Sequence, residues 1–211
     1  MHISECYSFR MIIVVEGISA SGKSSWCAKH ASRHIVHENG RLNTVPDRRH
    51  DPAAAATFWA KRNSKRWHAA LANESQNTLA VCDTDPLKLH YVWCLWRIGE
   101  AKESNWRLEL AATRNMIAKR QIGFADCYLV QSIDPQLARQ HARADDSRRR
   151  RNFELHVRLQ PALIEWYRAL EVVLPGRVQF GLPPSLPEME AMGQRYDLEA
   201  FDRMIEALDY G

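Results

Sequence analysis

The chain contains no C-x-x-C pair, and its five cysteines, Cys6, Cys27, Cys82, Cys94 and Cys127, are widely spaced, with no histidine partner at zinc-finger spacing. Neither a disulfide framework nor a structural zinc site is indicated, and the cysteines read as reduced thiols. No apolar run approaches the ~18 residues that a membrane helix needs. The opening MHISECYSFR lacks the apolar centre of a signal peptide, so the expectation is a cytoplasmic protein without a membrane partner. An excess of one charge is missing too: 29 Lys and Arg against 25 Asp and Glu leave a formal net charge of +4. That is too small for a protein whose main work is coating nucleic acid, and nucleic acid is not an expected partner. Internal repeats and low-complexity tracts are absent. What remains is an ordinary globular composition, 45 % apolar and 26 % charged over 211 residues. A chain of this length buries roughly 70 % of its unfolded surface, enough for a single domain over residues 1–211 that needs no staples.

Five short apolar segments punctuate the sequence: Met11 to Val15, a weaker one around Leu42 to Val45, Thr78 to Cys82, Cys127 to Gln131, and Arg177 to Phe180. The stretches between them are long enough for helices. Strands alternating with helices imply an α/β fold with a mainly parallel, five-stranded sheet covered on both faces. Helices are expected from a glycine-rich turn to about His37, from Ala53 to about Ala72, and from Pro86 through the aromatic stretch His90 to Trp96, with a break at Gly99. Further helical spacing runs over residues 100 to 121 and 153 to 173, and from Asp197 to Leu208, with a proline-rich loop from Gly181 to Pro187.

The first apolar segment leads into Gly17-Ile18-Ser19-Ala20-Ser21-Gly22-Lys23-Ser24, a complete G-x-x-x-x-G-K-S sequence placed after a strand and before a helix. This is the context of a P-loop. Gly17 and Gly22 let the backbone wrap closely around phosphate oxygens, while Ser19, Ala20, Ser21 and Ser25 line the same turn and helix start. Lys23 would neutralise charge on the β- and γ-phosphates and Ser24 would hold Mg²⁺. The expected ligands are therefore ATP and Mg²⁺. No N-K-x-D sequence for guanine follows, and no L-S-G-G-Q-like signature appears, which argues against a Ras-type GTPase and an ABC ATPase and leaves a small phosphotransferase.

From this point the residues resemble the thymidylate kinase and deoxyribonucleoside kinase group of P-loop enzymes. Ile13 to Ser25 resembles that group's I-x-x-E-G-x-x-G-x-G-K-S/T, with Ala20 standing where glycine is common. The resemblance implies a P-loop kinase fold with an arginine-rich lid over about residues 136–152, and an enzyme often found as a homodimer. Phe58-Trp59-Ala60-Lys61-Arg62 is similar to the F-A-A-x-R stretch that meets the acceptor's phosphate. On that likeness Arg62 is an acceptor residue and Phe58 a wall of its pocket; an amphipathic helix with exposed Lys61, Arg62, Lys65 and Arg66 is the plainer alternative. Asp83, at the end of the third apolar segment, stands where the group has D-R-x or E-R-S, so the resemblance gives it a role in organising Mg²⁺ or taking the acceptor's proton, with Asp85 beside the substrate. Thr84 replaces the arginine. Capping of a strand end and a helix remains open for both aspartates.

Asp47, in Val45-Pro46-Asp47, is the nearest match to the acid of the E-P pair that supplies a general base in similar enzymes, with a turn residue as the other reading. Tyr91, in the aromatic helix, is a candidate to stack on a planar substrate, against core packing as the alternative. Ser132 to Arg139 resembles the D-P-E-x-A-x-x-R that opens the lid, and seven arginines against three acids fall between Arg139 and Arg158. Within the lid, Arg148 and Arg151 are candidates to stabilise charge on the transferred group and Arg143 to bind the donor's phosphates. The combined expectation is an ATP- and Mg²⁺-dependent kinase acting on a small-molecule acceptor, a nucleoside or nucleoside monophosphate first. An antibiotic, sugar or other specialised metabolite is the alternative acceptor. A nucleotide-dependent switch or RNA-associated ATPase built on the Arg148 to Arg151 run is the alternative class.

Overall fold

Four consecutive residues, Ile12 to Val15, have no exposed surface, which marks a strand covered on both faces. They form the centre of β1 (Met11–Gly17) in the computed structural model, which describes residues 10–38, 44–145, 152–188 and 192–209. The chain continues through α1 (Lys23–His30), β2 (Ile35–Val36), α2 (Pro52–Asn77), β3 (Leu79–Asp83), α3 (Leu89–Arg97) and α4 (Glu103–Ala118). It closes with β4 (Cys127–Gln131), α5 (Pro135–Ala144), α6 (Phe153–Val173), β5 (Val178–Phe180) and α7 (Leu198–Asp209). The five strands pair in the order β2-β3-β1-β4-β5, all parallel, so the α/β architecture is the expected one. Chain order reverses across β1, whose Val15 lies opposite Asp83 and Leu129. The crevice at the carboxyl ends of such strands is where open α/β sheets hold ligands.

Alternation along the strands sends Ile12, Val14, Ala80, Cys82 and Val130 to one face and Ile13, Val15, Val81, Cys127 and Leu129 to the other. The first face carries the thick layer, supplied by α2, α3, α4, α6 and α7. Its centre is aromatic: Trp93, Trp106 and Trp166 are all fully buried, with ring centroids 5.7 Å apart for Trp93 and Trp166 and 6.3 Å for Trp106 and Trp166. The second face is covered by Trp26 and Cys27 of α1 and by Ala31, with Leu182 and Leu186 packed beside them. Asp51 caps α2 by accepting from the Ala54 N–H at 2.9 Å, and Asp134 caps α5 by accepting from Gln136 and Leu137 at 2.8 and 3.0 Å. At the amino-terminal edge of the sheet, Asp126 accepts from the Ile12 N–H at 2.8 Å and from Arg195, which also grips Glu74. This buried network ties β1 to α2 and to the approach of α7, and leaves the carboxyl edge to the functional loops.

Several boundaries differ from the sequence expectation. The second strand is Ile35–Val36, paired with Val81 and Cys82, instead of the segment around Leu42 to Val45. Val45 is exposed and outside any strand, and residues 42 and 43 lie outside the described residues. The first helix therefore ends at His30 and not near His37, because the chain must turn back into β2; the Ala31 and His34 N–H groups bond to the Cys27 and Ala31 carbonyls, each at 2.8 Å. The second helix runs beyond Ala72 to Asn77, closed by Thr78 in the left-handed region (φ 64°). The third starts at Leu89, after Lys88 has turned left-handed, instead of at Pro86. Among the described residues no helix is long and apolar enough to cross a membrane.

Because Trp166 joins Trp93 to Trp106, Trp166→Ala should destabilise the fold by about 3–5 kcal/mol. Urea unfolding of the variant checks this, and a loss below about 1 kcal/mol would show that the aromatic layer is not the main support of the sheet.

Candidate nucleotide site

β1 ends at Gly17, where a Cβ would stand 2.5 Å from the Gln131 carbonyl oxygen and 2.8 Å from Ser21 Oγ; only glycine lets β4 and the following loop close around this point. The loop turns through Ala20 (φ 66°) and Gly22 (φ 91°), and Gly22 caps the start of α1. Ala20 accepts the left-handed backbone despite its side chain, at a cost of about 1 kcal/mol. The loop thus delivers Gly17, Ser19, Ala20, Ser21, Gly22, Lys23, Ser24 and Ser25 to one helix N-terminus, a place that favours anions. Ser21 Oγ is buried and has no hydrogen-bond partner among the described residues. It is a polar atom for which a phosphate oxygen is a suitable partner.

Lys23 is folded back over the loop, its Nζ donating to the Gly17 carbonyl at 2.5 Å and the Ile18 carbonyl at 2.9 Å. Burial pulls its pKa down, while the carboxylates of Glu16, Asp83 and Glu38 act against that shift. Ser24 donates its hydroxyl to Asp83 Oδ2 at 2.7 Å. A hydroxyl and a carboxylate at the end of β3 form the all-oxygen donor set that suits Mg²⁺, which keeps several waters and takes only one or two protein carboxylates. Among the described residues no cluster of three or more His, Cys, Asp or Glu side chains could hold a metal ion.

The segment after β3 is held from below. Arg66, only 3 % exposed, donates to the carbonyls of Asp83, Thr84 and Asp85 at 3.3, 2.7 and 3.1 Å. It is not the surface residue that the amphipathic pattern of α2 suggests. Thr84 sits in the left-handed region (φ 83°). Asp85 does not open onto the site: it is buried, accepting from the Leu87 N–H at 2.8 Å and the Tyr167 hydroxyl at 3.0 Å. Burial pushes its carboxyl up to about 7, against the opposing pull of the Leu87 N–H, so its expected contact with substrate gives way to a scaffold role. His90 is equally enclosed, with Nε2 3.5 Å from Glu16 Oε2, and burial lowers its pKa to about 4.

On the other side of the crevice, the carboxylate that follows β2 is Glu38. Its Oε1 accepts from Lys88 Nζ at the start of α3. The Glu38 side chain is half exposed; partial desolvation raises its pKa, but Lys88, with Arg66 and Lys23 adding to it, outweighs this and holds it below the ordinary range. Asp47 does not stand at a strand end: it is an exposed turn residue that accepts from the Arg49 N–H at 2.7 Å and lies 3.7 Å from His50 Nε2. Beside it Arg48 donates to Glu109 at 2.5 Å and lies over the rings of Trp59 and Tyr91, 5.1 and 6.0 Å from their centroids. Tyr91 is half-buried there. Phe58 packs edge-on against Trp59 at 5.3 Å, and the Arg62 guanidinium lies 6.0 Å from the same indole. Phe58 and Arg62 thus lie against Trp59, and Tyr91 is linked to it through Arg48, which lies over both rings.

The segment expected to form a lid begins as α5. His141 Nδ1 is 3.1 Å from the Ala20 carbonyl oxygen, which sets this helix against the P-loop, and Arg143 is exposed on its last turn. Arg139 forks onto Glu154 at the start of α6, with Nη2 2.8 Å from Oε2. Arg148 and Arg151 lie outside the described residues. After β5, the Pro183 carbonyl accepts from the Trp26 indole at 2.6 Å, so this loop lies against α1.

No family model and no curated protein matches the sequence. Among solved structures the chain is similar to deoxyadenosine kinase from M. mycoides with bound dATP, at a TM-score of 0.53 and 12 % identity, covering 94 % of this chain and 100 % of that one. A second structure of that enzyme, with the products dCMP and a flexible dCDP bound, aligns at a TM-score of 0.54 and 12 % identity over 95 % of this chain and 100 % of that one. The fold is that of a P-loop kinase. Three residues at this edge of the sheet escape the motif pattern: Arg66 and Lys88, whose partners lie far away in sequence, and Glu38. The one available signal for Glu38 is an acid two residues beyond the apolar pair Ile35–Val36.

The buried neutral state of His90 makes a testable demand on this scaffold. Since its folded pKa is depressed below the unfolded value near 6.5, the stability it contributes is present above pH 6.5 and is lost as pH falls toward 4. His90→Gln keeps a donor for Glu16 without the titration, so it should lose less stability than the parent between pH 7 and pH 4, by about 1–3 kcal/mol. Denaturant unfolding at the two pH values measures the difference, and equal losses would place the acid sensitivity elsewhere.

Proposed function

We propose that the chain is an ATP- and Mg²⁺-dependent phosphotransferase that moves the γ-phosphoryl group to a hydroxyl of a small acceptor, with a nucleoside as the first candidate. The observation that carries this reading is the delivery of Lys23, Asp83 and Glu38 to the same sheet edge by the segments following three parallel strands. The deoxyadenosine kinases of the same fold support the choice of a nucleoside.

Lys23 would exchange its two carbonyl partners for donor phosphates, and the unpartnered Ser21 hydroxyl would meet a phosphate oxygen. A bound Mg²⁺ neutralises charge on the β- and γ-phosphoryl oxygens; Ser24 and Asp83 are the residues that would hold it. Glu38, ionised beside Lys88, would take the proton of the acceptor hydroxyl while that oxygen bonds to the γ-phosphorus. The bond from phosphorus to the bridging oxygen breaks, and ADP leaves with that electron pair. Trp59, whose indole nitrogen is buried without a hydrogen-bond partner among the described residues, would flank a planar acceptor together with Phe58 and Tyr91. Arg62 would reach it from the same side. Arg143, Arg148 and Arg151 would close over the phosphates from the lid, within a single domain.

Because the reaction consists mostly of positioning and charge stabilisation, Lys23→Ala should lower kcat by about 10³-fold or more in a folded protein. Glu38→Gln should lower it by about 10²–10⁴-fold while ATP affinity is retained. ADP release in the presence of deoxyadenosine or deoxycytidine reports both. Parental turnover in Lys23→Ala would overturn the phosphotransferase reading, and parental turnover in Glu38→Gln would show that another group receives the proton.

A further inference from the structure

The edge of β3 lacks an outward cation of its own. Thr84 is buried, and Arg66, the nearest guanidinium, is occupied beneath the loop by the carbonyls of Asp83, Thr84 and Asp85. A cation nevertheless reaches the crevice from another place. Lys88, one residue before α3, extends to Glu38, 50 positions away in sequence, and their side chains form an ion pair at the mouth of the site. We propose that Lys88 is a positioning residue of the acceptor site, holding the Glu38 carboxylate in place and ionised for proton acceptance.

The backbone around Lys88 is built to aim it. Lys88 occupies the left-handed region (φ 44°), a conformation that non-glycine residues hold only when their surroundings enforce it. Those surroundings are the two ties on Leu87: its N–H donates to Asp85 Oδ1 at 2.8 Å and its carbonyl accepts from Asn63 Nδ2 at 3.0 Å. Leu87 and Leu89, each 2 % exposed, anchor the chain on either side. The buried Asp85 thereby acquires a purpose: it fixes the turn from which Lys88 crosses to Glu38.

The titratable and charged groups facing Glu38 are Lys88, Tyr91 and His90 from α3 and its approach, Arg66 from α2, Lys23 from the P-loop and His156 from α6. Of these, Lys88 is the one paired with the carboxylate and the largest influence lowering its pKa.

This inference rests on the assignment of Glu38 as proton acceptor, and the test separates the two. Glutamate ¹³C-carboxyl NMR on the ligand-free protein, with the Glu38 resonance assigned through Glu38→Gln, gives the titration of that carboxyl in the parent, Lys88→Met and Lys88→Arg. Lys88→Met should raise the midpoint by about one pH unit and Lys88→Arg should leave it near the parent value. The acid limb of kcat/KM for deoxyadenosine should move with it, while the ATP dissociation constant stays unchanged. An unmoved Glu38 midpoint in a folded Lys88→Met protein would overturn the proposal and leave the kinase reading standing. An acid limb that persists in Glu38→Gln would remove Glu38 from the reaction, overturning the positioning role together with the proton-acceptor assignment, even if the NMR midpoint responds to Lys88.

Discussion

Glu16 is 3 % exposed, and a carboxylate so enclosed must find its hydrogen bonds inside the protein. It does so by bridging the two loops of the site: one oxygen accepts from the Gly17 N–H at 2.9 Å and the other from the Asp85 N–H at 3.0 Å. The first donor opens the P-loop and the second belongs to the segment that carries Asp83. The spacing of Ser24 and Asp83 is therefore fixed from beneath by a buried side chain. A hydrogen bond to a charged group contributes about 1.5–3 kcal/mol, so the bridge is a structural requirement as well as a spacing device.

Around that bridge the charges separate into two layers. The lower layer is buried and largely satisfied internally: Arg66 on three carbonyls, Asp85 between Leu87 and Tyr167, and His90 held neutral beside Glu16. The upper layer faces the crevice, where Lys23 rests on backbone carbonyls, Ser24 on Asp83, and Lys88 on Glu38. Internal partners hold these groups near the positions where phosphates, a metal ion and an acceptor hydroxyl would replace them. Such preorganisation reduces the reorganisation needed during the reaction. Beside these layers Arg48 lies over Trp59 and Tyr91, its guanidinium already neutralised by Glu109.

The P-loop is legible in the sequence because its chemistry is local: strand, glycine turn and helix start occupy consecutive residues, and their order is itself the signal. The central strands are legible for the same reason, since β1, β3 and β4 are apolar runs buried on both faces. β2 is not, because two residues, Ile35 and Val36, cannot establish a period, and a first helix read through to about His37 absorbs them, leaving the weaker segment around Leu42 to Val45 as the strand. That one displacement carries Asp47 with it: an acid is sought after the wrong segment, and Glu38 passes unnoticed. Arg66 and Lys88 illustrate a different limit. A helical pattern cannot distinguish a basic residue pointing to solvent from one that turns inward to three carbonyls, and nothing in the sequence couples Lys88 to a carboxylate 50 positions earlier. The position of Asp83 at the sheet edge could be read because it ends an apolar strand, whereas Asp85, two residues on, faces the interior because Thr84 reverses the backbone between them.

The central claim is that this edge of the sheet transfers a phosphoryl group from ATP to a small acceptor. The most direct measurement is mass spectrometry of a pool of nucleosides, nucleoside monophosphates, sugars and aminoglycoside-like metabolites incubated with Mg-ATP and the purified protein, with Lys23→Ala as the blank. A nucleoside that gains one phosphoryl group with the parent protein, and not with the blank, is the expected result. ATP turnover with no phosphorylated acceptor, or phosphorylation that Lys23→Ala supports equally, would contradict the account.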